Sequence, residues 1–74
     1  MDGAKAQKQL GSAIRKRRLE LKFSQDSFAD HIEMHRAYYS AVERGERNLT
    51  LRLLQKIAEG LRLSLAALFG SAKL

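Results

Sequence analysis

Apolar residues recur along this chain at intervals of three and four, the spacing of one helix face, in short stripes separated by polar turns. Leu10, Ile14 and Leu21 mark a first helix from about Ala6 to Lys22, and the small or polar residues 1–6 read as a frayed end. Arg17 falls inside that stripe, so it must either snorkel outward or find an acceptor. Ser24 is a good N-cap for a second helix, about Gln25 to His31, whose Phe28 and Ala29, with Ile32 just beyond, form one face. Tyr39, Ala41 and Val42 define a third helix, about Arg36 to Arg44, which Gly45 can end in the left-handed conformation. After a short loop Thr50 caps a fourth helix carrying Leu51, Leu54, Ile57, Ala58 and Leu61, and Ser64 caps a fifth with Leu65, Leu68 and Phe69. The expected fold is all-α, five helices without a strand in one domain over residues 1–74. The absence of proline, repeats and low-complexity tracts suits compact helices joined by short loops.

The second and third helices are the informative pair. Their apolar faces can close on each other across a turn near His31 to His35, and small Ala29 lets them approach. Such a helix-turn-helix, about Ser24 to Gly45, lays its second helix in the DNA major groove with N-terminal residues at the base edges. Composition agrees. The net charge is +6 with a pI near 10.2, which suits an anionic partner. The charge is uneven: residues 1–23 hold seven Lys/Arg against two acids, whereas 24–33 hold three acids and no base. A solvated charged surface would explain the charge alone; the helix-turn-helix spacing favours DNA.

Other classes are disfavoured. Seventy-four residues leave room for one small domain, marginal unless its core is well idealised or it associates. No cysteine is present, so disulfides and thiolate metal sites are excluded. His31 and His35 have helical spacing, but the turn breaks their shared face and no third ligand is apparent, so no metal is expected. No nucleophile, base and orienter share a recognisable spacing, so no enzyme, cofactor or small-molecule ligand is expected. Apolar runs fall far short of the ~18 residues of a membrane span, and the N-terminus lacks a signal-peptide hydrophobic region. A cytoplasmic location follows.

Arg36 near the start of the third helix is the leading candidate for base readout, because a guanidinium can bond guanine O6 and N7 together; the alternative is a surface arginine. Ala37 can offer a methyl to thymine, His35 can bond a base edge or merely cap the helix, and Ser40 can reach a base or phosphate. Leu19, Leu49, Leu53 and Leu65 supply more apolar surface than five short helices cover, which suggests a dimer face through Leu53 and Leu65; the rival reading is that helices 1, 4 and 5 absorb it.

Ser24-Gln25, Ala29, Met34, Arg36, Tyr38, Ser40, Val42-Glu43-Arg44-Gly45, Arg47-Asn48-Leu49-Thr50, Ile57-Ala58, Leu61, Leu63-Ser64 and Leu68-Phe69 together resemble the phage-repressor and Cro-like (xenobiotic-response-element) helix-turn-helix family. The Tyr-x-Ser-x-x-Glu-Arg-Gly and Arg-Asn-Leu-Thr segments are similar to controller proteins of restriction–modification systems. The resemblance implies a five-helix lambda-repressor-like domain, bacterial or phage-encoded and nucleoid-associated. It implies a transcriptional regulator that binds double-stranded DNA as a homodimer on a roughly palindromic operator. It supports base contact at Arg36, and it implies phosphate contact at Gln25, which would also brace the reading helix. Ser24, Tyr38, Arg44, Arg47 and Asn48 are further phosphate candidates by position. Arg18 and Glu43 resemble the family's structural pair. Glu33 and Arg62 stand where glycine is usual, and Tyr39 is bulkier than the usual aliphatic residue, so it would tilt the third helix or send its hydroxyl to the surface. An antitoxin-type repressor with a toxin partner, or a helical interaction module without DNA contacts, are the alternatives.

Overall fold

Ser24, Thr50 and Ser64 all hold extended backbone with φ −73°, and each accepts a hydrogen bond from the amide three residues on, the geometry that starts a helix. The computed structural model describes residues 3–74. They form α1 (Gly3–Glu20), α2 (Gln25–His31), α3 (Arg36–Glu43), α4 (Leu51–Gly60) and α5 (Leu65–Ser71), with no strand among the described residues. At α2 the cap is reciprocal: Ser24 Oγ accepts from the Ser27 amide at 3.0 Å, and Ser27 Oγ accepts from the Ser24 amide at 3.0 Å.

The C-terminal ends share a device too. A residue with positive φ follows every helix: Lys22, Glu33, Gly45, Arg62 and Lys73. The next amide then bonds a carbonyl five residues back, as from Met34 to Ala29 at 2.8 Å and from Leu63 to Ala58 at 2.9 Å. Only Gly45 adopts this backbone without a penalty; each of the others costs on the order of 1 kcal/mol.

Three helix bounds differ from the sequence expectation. Residues 3–6 are helical, not frayed: Gly3, Ala6 and Gln7 line a concavity shared with Asn48, Leu49 and Leu74, and Gln7 donates to Asn48. Residues 1–2 of that expected frayed end lie outside the described residues. α1 stops at Glu20 because the chain turns through Leu21 and left-handed Lys22, while α3 stops at Glu43 with Arg44 as its cap.

Ile14, Phe28, Tyr39, Ile57, Leu61 and Leu68 are fully buried and belong to one cluster with Ala13, Ala29, Ile32, Met34, Val42, Ala58 and Ala72. Each helix thus supplies at least one side chain to a shared core. Leu51 departs from the expected apolar face of α4: it is 63% exposed, because the first position of that helix rotates it away from the core. Arg17 finds an acceptor, its Nε donating at 3.0 Å to the carbonyl of Leu61 at the end of α4. Gly11 lets α1 cross the end of α3 closely. A Cβ there would lie 2.5 Å from the Glu43 carbonyl oxygen and 2.6 Å from that of Val42.

Candidate nucleic-acid interface

α2 and α3 pack through Phe28 and Tyr39, whose ring centroids are 5.3 Å apart, with buried Ala29, Ile32 and Met34 closing the turn. Four apolar or paired positions of α3, Tyr39, Ala41, Val42 and Glu43, point inward. The opposite face therefore remains for solvent: His35, Arg36 and Ala37 are exposed, and Tyr38 and Ser40 are half-buried. His35 occupies the N-cap position without a side-chain cap bond, so its imidazole is left for another partner.

Glu43 holds this face in place. Its carboxylate accepts from Arg18 Nε at 2.6 Å and Nη2 at 3.0 Å, from Gln25 Nε2 at 3.1 Å, and from the Tyr39 hydroxyl. Arg18 also donates Nη1 to the Phe23 carbonyl at 2.8 Å, which ties α1, the α1–α2 turn, α2 and α3 to one point. Burial would push the Glu43 carboxyl up, but hydrogen bonds from Arg18, Tyr39 and Gln25, with the charge of Arg18, outweigh it and hold the group below the usual carboxylate range. Burial, and then the hydrogen bond to Glu43, push the Tyr39 phenol up, so the hydroxyl stays a donor. Of the two expectations for Tyr39, a tilted third helix or a surface hydroxyl, the second does not hold: the hydroxyl turns inward, because an anionic acceptor lies one turn along its own helix.

Arg36 is exposed yet engaged. Its Nε and Nη2 donate to the two carboxylate oxygens of Asp30 at 3.1 and 2.6 Å, and Nη1 to Asp26 at 3.4 Å. The hydrogen bond from Arg36 holds the Asp30 carboxyl below its ordinary value. Sequence reading missed both aspartates, although an acidic segment just before Arg36 was a visible signal.

The other candidates fall into small groups. At the end of α3, Arg44 donates Nη1 to Ser40 Oγ at 2.6 Å and Nε to Glu46 at 3.1 Å. In the following loop Arg47 lies over the Tyr38 ring, 5.3 Å from its centroid, and the Tyr38 hydroxyl donates to the Asn48 carbonyl at 3.5 Å. Ser24 and Gln25 sit at the start of α2, with the Gln25 amide turned to Glu43. Leu53 and Leu65 are both half-buried against the core; Leu65 also lines an open concavity with Gln55, Ala58, Glu59 and Leu63 between α4 and α5. His31 stacks on Phe23, with centroids 5.0 Å apart. No group of three potential metal ligands occurs among the described residues, and no helix there is long and apolar enough to cross a membrane.

Residues 14–68 match the protein family described as helix-turn-helix. Control protein C.MunI from a Mycoplasma species is 46% identical over 56 residues, covering 76% of this chain and 73% of that protein. The restriction-modification controller protein C.AhdI from Aeromonas hydrophila superposes with a TM-score of 0.86 at 30% identity, over 93% of this chain and 100% of that one. C.Esp1396I, a controller protein solved as a tetramer with its natural 35 base-pair operator, superposes with a TM-score of 0.82 at 32% identity, over 92% and 90%.

Proposed function

The chain belongs to the helix-turn-helix family, and from that membership we infer that it is a DNA-binding transcriptional regulator of the restriction–modification controller kind, acting as a homodimer on a roughly palindromic operator. The observation that carries this reading is the solvent face of α3, where His35, Arg36, Ala37 and Ser40 stand free of the core while Glu43 anchors the opposite side. A helix pinned from behind and open to solvent in front can enter the major groove without rearranging the fold.

Roles follow from placement. Arg36 is the principal base reader, with Ala37, His35 and Ser40 beside it. Ser24, Gln25, Tyr38, Arg44, Arg47 and Asn48 flank that face and suit phosphate contacts, which set register. Arg18 and Glu43 brace the reading helix. One domain spans residues 1–74, and the protein works in the cytoplasm on nucleoid DNA, without a cofactor. The dimer face lies at the α4–α5 concavity around Leu65. Exposed Leu51 stands one turn before Gln55 on α4 and adds apolar surface near it, whereas Leu53 and Leu65 also pack on the core.

Binding to duplexes selected from a random pool tests the reading. Arg36→Ala is expected to cost roughly 1–3 kcal/mol on the preferred site and little on unrelated DNA, whereas Arg47→Ala weakens all sequences alike. An equal loss on both DNAs from Arg36→Ala would make Arg36 a phosphate contact.

A further inference from the structure

Asp26 and Asp30 place two carboxylates beside the reading helix of a chain with net charge +6, where they repel the phosphates that the rest of the surface attracts. We propose that Asp30, assisted by Asp26, is a positioning residue that turns Arg36 end-on toward a guanine and so trades affinity for sequence discrimination. This rests on the reading of Arg36 as a base contact.

A guanidinium has five N–H donors: one on Nε and two on each terminal nitrogen. Asp30 takes the Nε donor at 3.1 Å and one Nη2 donor at 2.6 Å, a fork across one edge, and Asp26 takes one Nη1 donor at 3.4 Å. The Asp30 fork therefore leaves the end-on edge, between Nη1 and Nη2, turned away from it, and Asp26 reaches that side only through the longer contact to Nη1. Guanine O6 and N7 accept the pair of N–H donors on such an edge side by side in the major groove.

The same contacts explain selectivity. A free arginine loses rotamer freedom when it docks; here part of that ordering is done before DNA arrives, so the right base gains more from the contact. A base that offers no paired acceptors leaves the guanidinium short of partners and the Asp30 carboxylate near unshielded phosphate. The cost falls on the wrong sequence. Arg36 and Asp30 side chains are 58% and 57% exposed, so the pair adds little to fold stability and its removal leaves the fold intact. Were the aspartates a latch that merely competes with DNA for Arg36, removing them would tighten binding to every sequence alike.

A duplex pool with a randomised core, selected in parallel on the wild type, Asp30→Ala, Asp30→Asn and Arg36→Ala, separates these cases. Affinity for the unselected pool and thermal midpoints are read alongside. The expected result is a guanine preference in the wild type that vanishes in Arg36→Ala. The same preference should fall about tenfold in both Asp30 variants, within the range of one bidentate contact. Those variants should bind the unselected pool at least as tightly as the wild type, with unchanged midpoints. Full guanine preference in Asp30→Ala and Asp30→Asn, with Arg36→Ala still losing it, would overturn the positioning role while leaving Arg36 as reader. Unchanged base preference in Arg36→Ala would remove the reader itself and the proposal with it.

Discussion

At Glu43 burial and pairing pull in opposite directions, and pairing wins because four donors from three side chains converge on its two oxygens. Removing one partner exposes the balance. Arg18→Ala leaves a buried carboxylate with two fewer donors and is expected to cost about 3–5 kcal/mol in urea unfolding, whereas neighbouring, exposed Lys16→Ala costs little. Equal shifts for the two variants would remove the pair from the account. The same site sets an acid limit. Because the folded-state carboxyl lies below its ordinary value of 4.5, its contribution is complete above that pH and is lost as pH falls through the depressed folded value. Glu43→Gln, less stable at neutral pH, should therefore show a shallower loss of stability below about pH 4.5 than the wild type. Parallel slopes would assign the acid sensitivity to other carboxylates.

Between elements, the crossing of α1 over the end of α3 depends on a missing side chain. Gly11→Ala would press a methyl to 2.5 Å from the Glu43 carbonyl oxygen, and backbone cannot yield as a flexible side chain does, so the helices must part and carry Arg18 away from Glu43. A lowered thermal midpoint and weaker DNA binding are expected together. Gly70→Ala is the contrast: nothing lies within 4 Å of a Cβ there, and the helical position favours alanine, so stability should rise by about 0.5–1 kcal/mol. A gain for both variants would mean that the α1–α3 approach is looser than it stands. These two glycines also mark where sequence stops being informative. Cap residues and three-and-four spacing act locally, which is why the span of α2, the caps Ser24, Thr50 and Ser64, and the left-handed turn at Gly45 could be read from the chain. Gly11 could not, since its role depends on a helix thirty positions away. Asp30 was missed because its partner lies six residues on, across a turn that breaks helical register. Leu51 fits the apolar period of α4 by number, yet sits where the helix begins and the core does not reach.

The whole molecule measures 32 × 23 × 20 Å, and its reading helix has eight residues. Eight residues at about 1.5 Å each span only ~12 Å, or a few base pairs of ~3.4 Å, too few to single out one operator. Two copies related by a twofold axis double the reading length and place both α3 helices about one DNA turn, ~34 Å, apart on one face. The proposed contact lies at Leu51, 63% exposed at the start of α4, and at the concavity between α4 and α5 that half-buried Leu65 lines. A charged replacement at exposed Leu51 should yield folded monomers, while at Leu53 or Leu65, both packed on the core, it would confound loss of dimer with loss of fold. Salt supplies a second readout. A dimer neutralising about 6–10 phosphates loses ~10³–10⁵ in operator affinity between about 50 and 200 mM salt, and the slope counts the phosphates released. The monomeric variant should therefore sediment at half the mass, bind an isolated half-site and the full palindrome with similar affinity, and show roughly half the salt slope. A wild-type monomer at micromolar concentration that binds one half-site as tightly as the palindrome would refute the dimer and leave a single α3 to read the operator alone.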